Sequence, residues 1–129
     1  PSPEKTCWKA EAAFGGATCA VRCATANDAG LRSRSTIDSL LRAMQTVRDA
    51  LSAVLALPDA AREYASWVVR NGSCFLLETA EILSLGGHGG HAAPFLTFAT
   101  LAAEACCALC TTRHLSWRLR LYAATCNAL

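Results

Sequence analysis

The sequence predicts an all-α fold, a small disulfide-stapled helical bundle of about four to five helices. Three observations carry this reading. Apolar residues recur at helical spacing over long stretches. No run alternates apolar and polar residues for long, and β-branched residues are sparse, so strand signals are absent. The cysteines number eight, an even count that suits a domain held by covalent staples.

A length of 129 residues predicts one domain spanning 1–129. Apolar residues make up 53% and charged residues 17%, a balance that argues against disorder. A chain of this size buries about two-thirds of its unfolded surface. A core is therefore available without staples, and the cysteines need a separate reason. The net charge of +2 is too weak to indicate a nucleic-acid partner.

The elements follow in order. Thr6 to Phe14 and Thr18 to Thr25 read as two helices separated by Gly15-Gly16. The strongest helix begins near Ser35, which can cap it, with Asp38 in the capping-box position. Ile37, Leu40, Leu41, Met44, Val47, Leu51, Val54 and Leu55 then mark its apolar face. Pro58 stops it and opens the next helix, Asp59 to Arg70, which Asn71-Gly72 should end. Trp8 and Trp67 are expected in the core. Ser73 can cap a further short helix through Leu85, and Gly86-Gly87-His88-Gly89-Gly90 breaks it. Pro94 opens another helix, predicted to run to Leu109. From Ala92 to Leu109 the one charge is Glu104, but Ala, Thr and Cys dominate over Leu and Ile. An interior bundle helix is preferred there to a membrane span. The last helix, His114 to Cys126, carries Leu115, Leu119, Tyr122 and Cys126 on one face.

Eight cysteines allow roughly a hundred connectivities. Spacing favours one. Cys19 and Cys23 lie four apart on one helix face, as do Cys106 and Cys110. Two antiparallel helices could then be tied by Cys19–Cys110 and Cys23–Cys106. Cys7–Cys126 would follow from similar separations, and Cys107 would be left for Cys74. This pairing requires the first helical segment to pack against the last. A bridge closing so long a loop could contribute on the order of 4 kcal/mol. Thiolates also suit Cu(I) or Zn, but the Cys107-Ala108-Leu109-Cys110 spacing lacks a matching second pair, so disulfides are preferred to metal.

Paired cysteines point to an extracellular, secreted glycoprotein, with the mitochondrial intermembrane space as the alternative compartment. Asn71-Gly72-Ser73 is an N-glycosylation sequon and agrees with secretion. The opening Pro1-Ser2-Pro3, without an initiator Met, reads as a processed or trimmed end.

Catalytic motifs are missing: no Gly-x-Ser-x-Gly elbow, no His-Glu-x-x-His, no P-loop and no Rossmann glycines. Glu78 and Glu81 share a helix face, as many solvated pairs do. His88 and His91 flank two glycines without a neighbouring carboxylate, so a mobile exposed loop is the better reading than a metal site. No enzyme activity and no cofactor are expected. Arg113, Arg118 and Arg120, with Trp117 among them, form a basic strip that could bind a partner. The cysteine spacing differs from those of plant eight-cysteine lipid-transfer proteins, hydrophobins and insect odorant-binding proteins.

The leading reading is a non-enzymatic extracellular interaction protein that presents a rigid helical surface to a protein receptor or complex. The second is a carrier of a hydrophobic small molecule, held among Phe95, Phe98 and Leu101. The third is a cysteine-based metal-binding bundle. The apolar balance leaves open a membrane-associated or complex-embedded role.

Overall fold

A computed structural model describes residues 2–129, and among them the regular structure is entirely helical. The helices are α1 (Pro3–Asn27), α2 (Arg34–Leu55), α3 (Asp59–Tyr64), α4 (Ser66–Leu85), α5 (Ala93–Glu104) and α6 (Leu115–Ala128). Short 3-10 turns cover Gly89–Ala92, Cys107–Cys110 and Thr112–His114. The all-α class is as the periodicity implies. Several boundaries are not.

The two N-terminal segments form one helix. Ser2 caps it by accepting the Lys5 N–H at 3.2 Å, and Pro3 opens it. Gly15 and Gly16 stay helical and exposed. Each costs about 1 kcal/mol against Ala. The buried stripe Cys7, Ala10, Phe14, Ala17 and Val21 spans both and outweighs that.

Between α1 and α2, the Asp28 carboxylate accepts the backbone N–H of Arg32 at 3.1 Å and of Ser33 at 2.8 Å. Those two bonds hold its pKa below the ordinary 3.8. Leu31 sits at φ 52, a left-handed conformation unusual for a residue with a branched side chain. Burial holds it there: Leu31 is 1% exposed and fills the space that a Cβ on Gly86 would need, 2.7 Å from its Cδ1. α2 starts one residue before the expected cap, and Ser35 Oγ instead hydrogen-bonds Ser33 Oγ at 2.8 Å. Of the apolar stripe predicted for α2, Ile37, Leu40, Met44, Val47, Leu51 and Val54 are buried.

Asn71-Gly72 does not end a helix. The break falls earlier, at the fully buried Ala65, whose carbonyl accepts N–H groups from both Val68 and Val69. α4 then runs through Gly72, which is buried where α4 meets α1 and α2. Trp8 and Trp67 are corrections too: they are 69% and 44% exposed, while Trp117 is buried.

α5 ends at Glu104, short of the expected Leu109. The reason is Glu63, whose carboxylate accepts the backbone N–H of Cys107 at 2.9 Å and of Ala108 at 3.1 Å. Those bonds cap a separate 3-10 turn and take up the N–H donors that a continuing α-helix would use. α6 turns Trp117 and Leu121 inward, and Leu115, Leu119 and Cys126 face solvent. Burying the large indole outweighs burying either leucine, so Trp117 sets the rotation.

α1 packs on α2 and α4, α2 on α4 and α5, and α6 on α5 and α4. Leu40, Met44, Leu51, Leu76, Leu83 and Leu96 anchor one hydrophobic cluster through these contacts. This arrangement does not support the staples. All eight cysteines are free thiols, and none of Cys7–Cys126, Cys19–Cys110, Cys23–Cys106 or Cys74–Cys107 is formed. The scheme needed α1 against α6, but the main neighbours of α1 are α2 and α4. It also needed Cys106 and Cys110 on one helix face, and both lie beyond the end of α5. Among the described residues no helix is long and apolar enough to cross a membrane.

Candidate functional site: a cationic cleft beside an exposed tryptophan

A surface cleft of about 700 Å³ opens where the first turns of α4 meet the 3-10 turns that precede α6. Trp67, Arg70 and Asn71 form one wall. Their spacing places them on one face of α4. Arg113 and His114 form the opposite wall, on the turn Thr112–His114. The extended backbone of Thr111, at φ −84 and ψ 163, swings that turn away from the preceding one, which the buried Leu109 anchors.

Trp117 lies behind the cleft and orders two of its residues. The Arg70 guanidinium sits over the indole ring at 5.4 Å. His114 meets the same ring edge-on, with centroids 6.4 Å apart and planes at 78°. Arg70 Nε is sealed from solvent and has no hydrogen-bond partner. Neither Arg70 nor Arg113 forms an ion pair among the described residues, whereas Arg34, Arg62, Arg118 and Arg120 each do. The site is thus positive and uncompensated. His114 registers that field: partial burial first, then Arg70 and Arg113, hold its pKa below the ordinary 6.5.

The sequence-predicted strip is divided by the structure. Arg113 reaches the cleft, and the buried Trp117 packs behind it against Arg70 and His114. Arg118 turns to Glu104 at 3.6 Å and donates to the Tyr122 hydroxyl at 3.3 Å. Arg120 pairs with Glu81 at 2.8 Å. Sequence reasoning missed Trp67 and Arg70. Their signal was present, since an aromatic and an arginine three apart just before Asn71 share a helix face.

Asn71 lies within α4 and donates from its side-chain amide to Glu11 Oε1 at 3.1 Å, while Gly72 and Ser73 are buried. Asn71 itself is exposed, whereas the two sequon residues that follow it are packed inside. The cysteines do not converge. Cys19, Cys23, Cys107, Cys110 and Cys126 are exposed, Cys74 is intermediate, and Cys7 and Cys106 are buried. Burial foremost, with Glu63 nearby, pushes the Cys106 thiol up to about 11. Among the described residues no group of three or more His, Cys, Asp or Glu is placed to hold a metal ion. His88 and His91 stack with centroids 6.3 Å apart, and Glu81 is held by Arg120. The residues expected to enclose a hydrophobic ligand do not do so together. Leu101 is 65% exposed, Phe98 is covered by the Arg48 guanidinium at 4.9 Å, and Phe95 borders an open surface groove.

The sequence profile of the family described as cilia- and flagella-associated protein 54 matches residues 4–129, and the chain belongs to that family. No curated protein matches it. This finding overturns the predicted compartments: a family associated with cilia and flagella points to a cilium or flagellum, not to the extracellular space or the mitochondrial intermembrane space. The free thiols agree with that correction.

Proposed function

We propose that this member of the cilia- and flagella-associated protein 54 family is a non-catalytic helical module that binds a protein partner within a ciliary or flagellar assembly. Family membership over residues 4–129 is the observation that carries the reading. The surface supports it. Trp67 stands 44% exposed beside Arg70 and Arg113, and tryptophan and arginine are the residue types that most often dominate protein interfaces. The scaffold beneath them is a packed core, so little ordering would be required on binding.

The test is expression of the tagged chain in a ciliated cell, with cross-linking of isolated axonemes. Enrichment in the axoneme, with cross-links from α4 or the turns before α6 to one defined ciliary protein, is the expected result. Uniform distribution through the cytoplasm, with no reproducible cross-link, would overturn the assignment.

A further inference from the structure

We propose that the cleft between Trp67, Arg70 and Arg113 takes a carboxylate-rich linear segment of a partner protein, with an apolar side chain of that segment seated on Trp67. The inference rests on the protein-binding reading above and specifies the chemistry of the partner.

Charge complementarity is the first argument. Arg70 and Arg113 face one cleft without counter-ions, and the residues lining that cleft include no Asp or Glu. Three of the carboxylates around it are held by other groups. Glu63 is held by the N–H groups of Cys107 and Ala108, and Glu104 by Arg118. Glu11 accepts from Asn71, and with Glu78 it lines an adjoining groove whose wall Arg70 and Asn71 share, yet neither carboxylate lies within ion-pair distance of Arg70. Guanidinium matches carboxylate geometry with two parallel hydrogen bonds, so acidic side chains fit this pair better than a diffuse anion does.

Preorganisation is the second. Arg70 is fixed over the Trp117 ring and its Nε is sealed, so the terminal nitrogens are presented with little rotamer freedom to lose. Burial first, and then Arg70 and Arg113, lowers the pKa of His114, in keeping with a wall that disfavours further positive charge. An incoming carboxylate would relieve that strain.

Size and shape are the third. About 700 Å³ falls in the range of pockets that hold a drug-sized ligand, enough for a few side chains of an extended segment, and one side is open for the chain to enter and leave. The exposed Trp67 ring supplies the apolar contact that a purely ionic site lacks. Nucleic acid fits less well, because the chain has a net charge of only +2 and no long basic stripe.

The experiment is fluorescence polarisation with a labelled peptide of about ten residues that interleaves Glu with Leu and Phe, long enough to cross the cleft and extend beyond both of its ends at about 3.3 Å per residue. A Gln-for-Glu version and a labelled single-stranded oligonucleotide serve as competitors. The Glu peptide should bind at least about tenfold more tightly than the Gln peptide, and salt should weaken it. Arg113→Ala removes an exposed side chain and should cost about tenfold, while Arg22→Ala on the outer face of α1 should leave binding unchanged. Trp67→Ala should weaken both peptides. Equal binding of the Glu and Gln peptides, equal loss in the Arg22 and Arg113 variants, or tighter binding of the oligonucleotide would each overturn the proposal. If the peptide fails while the chain still cross-links to one ciliary protein through another face, the acidic-segment proposal falls and the broader reading stands.

Discussion

The ring of Phe14 on α1 closes over Gly72 on α4 so tightly that a Cβ on the glycine would lie 2.8 Å from Phe14 Cζ. The same Cβ would meet Leu51 Cδ2 of α2 at 2.8 Å. Three helices therefore cross where one of them has no side chain.

Gly72→Ala should destabilise the protein despite the better helix propensity of alanine. Overpacking a closed core costs about 1–3 kcal/mol, against a gain of about 1 kcal/mol from propensity. A net loss of about 1 kcal/mol is expected in urea unfolding. Phe14→Leu shortens the opposing side chain and should make Gly72→Ala cheaper by about 1 kcal/mol in a double-mutant cycle. Additive losses would show that Phe14 does not set the constraint.

That crossing also explains what the sequence could and could not show. The stripe of α2 was legible because Ile37 to Val54 are buried on one face and its polar residues share the other. Asn71-Gly72 resembles a helix stop by local rules. A glycine required by tertiary approach carries the same letter as a glycine required by a turn. The end of α5 was hidden for a similar reason, since Glu63 caps the Cys107–Cys110 turn from 44 residues away. The cleft was half legible. Arg113 stood out in a basic strip, but Arg118 and Arg120 find acidic partners that only the packing reveals. Trp67 was assigned to the core by its chemistry, and the fold leaves it half out.

Glu63 should give the protein an acid-sensitive clamp. Its pKa is held below the ordinary 4.5 chiefly by the N–H groups of Cys107 and Ala108. A carboxylate with a lowered folded pKa adds stability above its unfolded pKa and loses it as pH falls through the folded value. Asp28 acts in the same direction from the α1–α2 link. Stability should therefore be constant near neutrality and decline as pH drops below about 4.5, the ordinary value for Glu. Glu63→Ala should lose about 1 kcal/mol at pH 7, a small figure because the group is largely solvated. The variant should also show a shallower acid decline than wild type. An unchanged acid profile would remove Glu63 from that role.

The thiols should react in an order set by burial. Denatured protein, never exposed to reductant, should take up eight equivalents of maleimide, one for each free cysteine. In the native state Cys19, Cys23, Cys107, Cys110 and Cys126 should label first. Cys7 and Cys106 should label slowly, as both are buried and both have raised pKa values, with Cys106 pushed up to about 11. Tryptic mapping of the labelled sites checks the order. Uptake below eight in the denatured, unreduced protein would reinstate disulfides.

His114 offers a direct reading of the cleft potential. Its pKa is lowered by partial burial and by Arg70 and Arg113, so its imidazole resonances should titrate with a midpoint below 6.5. Removing one cation weakens the repulsion of the imidazolium, so Arg113→Ala should raise the midpoint. Adding salt screens the same repulsion and should raise it in wild type, with a smaller salt effect in the variant. The salt dependence separates the two causes, because truncating Arg113 also uncovers His114, whereas desolvation of the imidazole is insensitive to ionic strength. A midpoint that ignores both changes would show that burial alone lowers it, and that the two guanidiniums do not act on a common site.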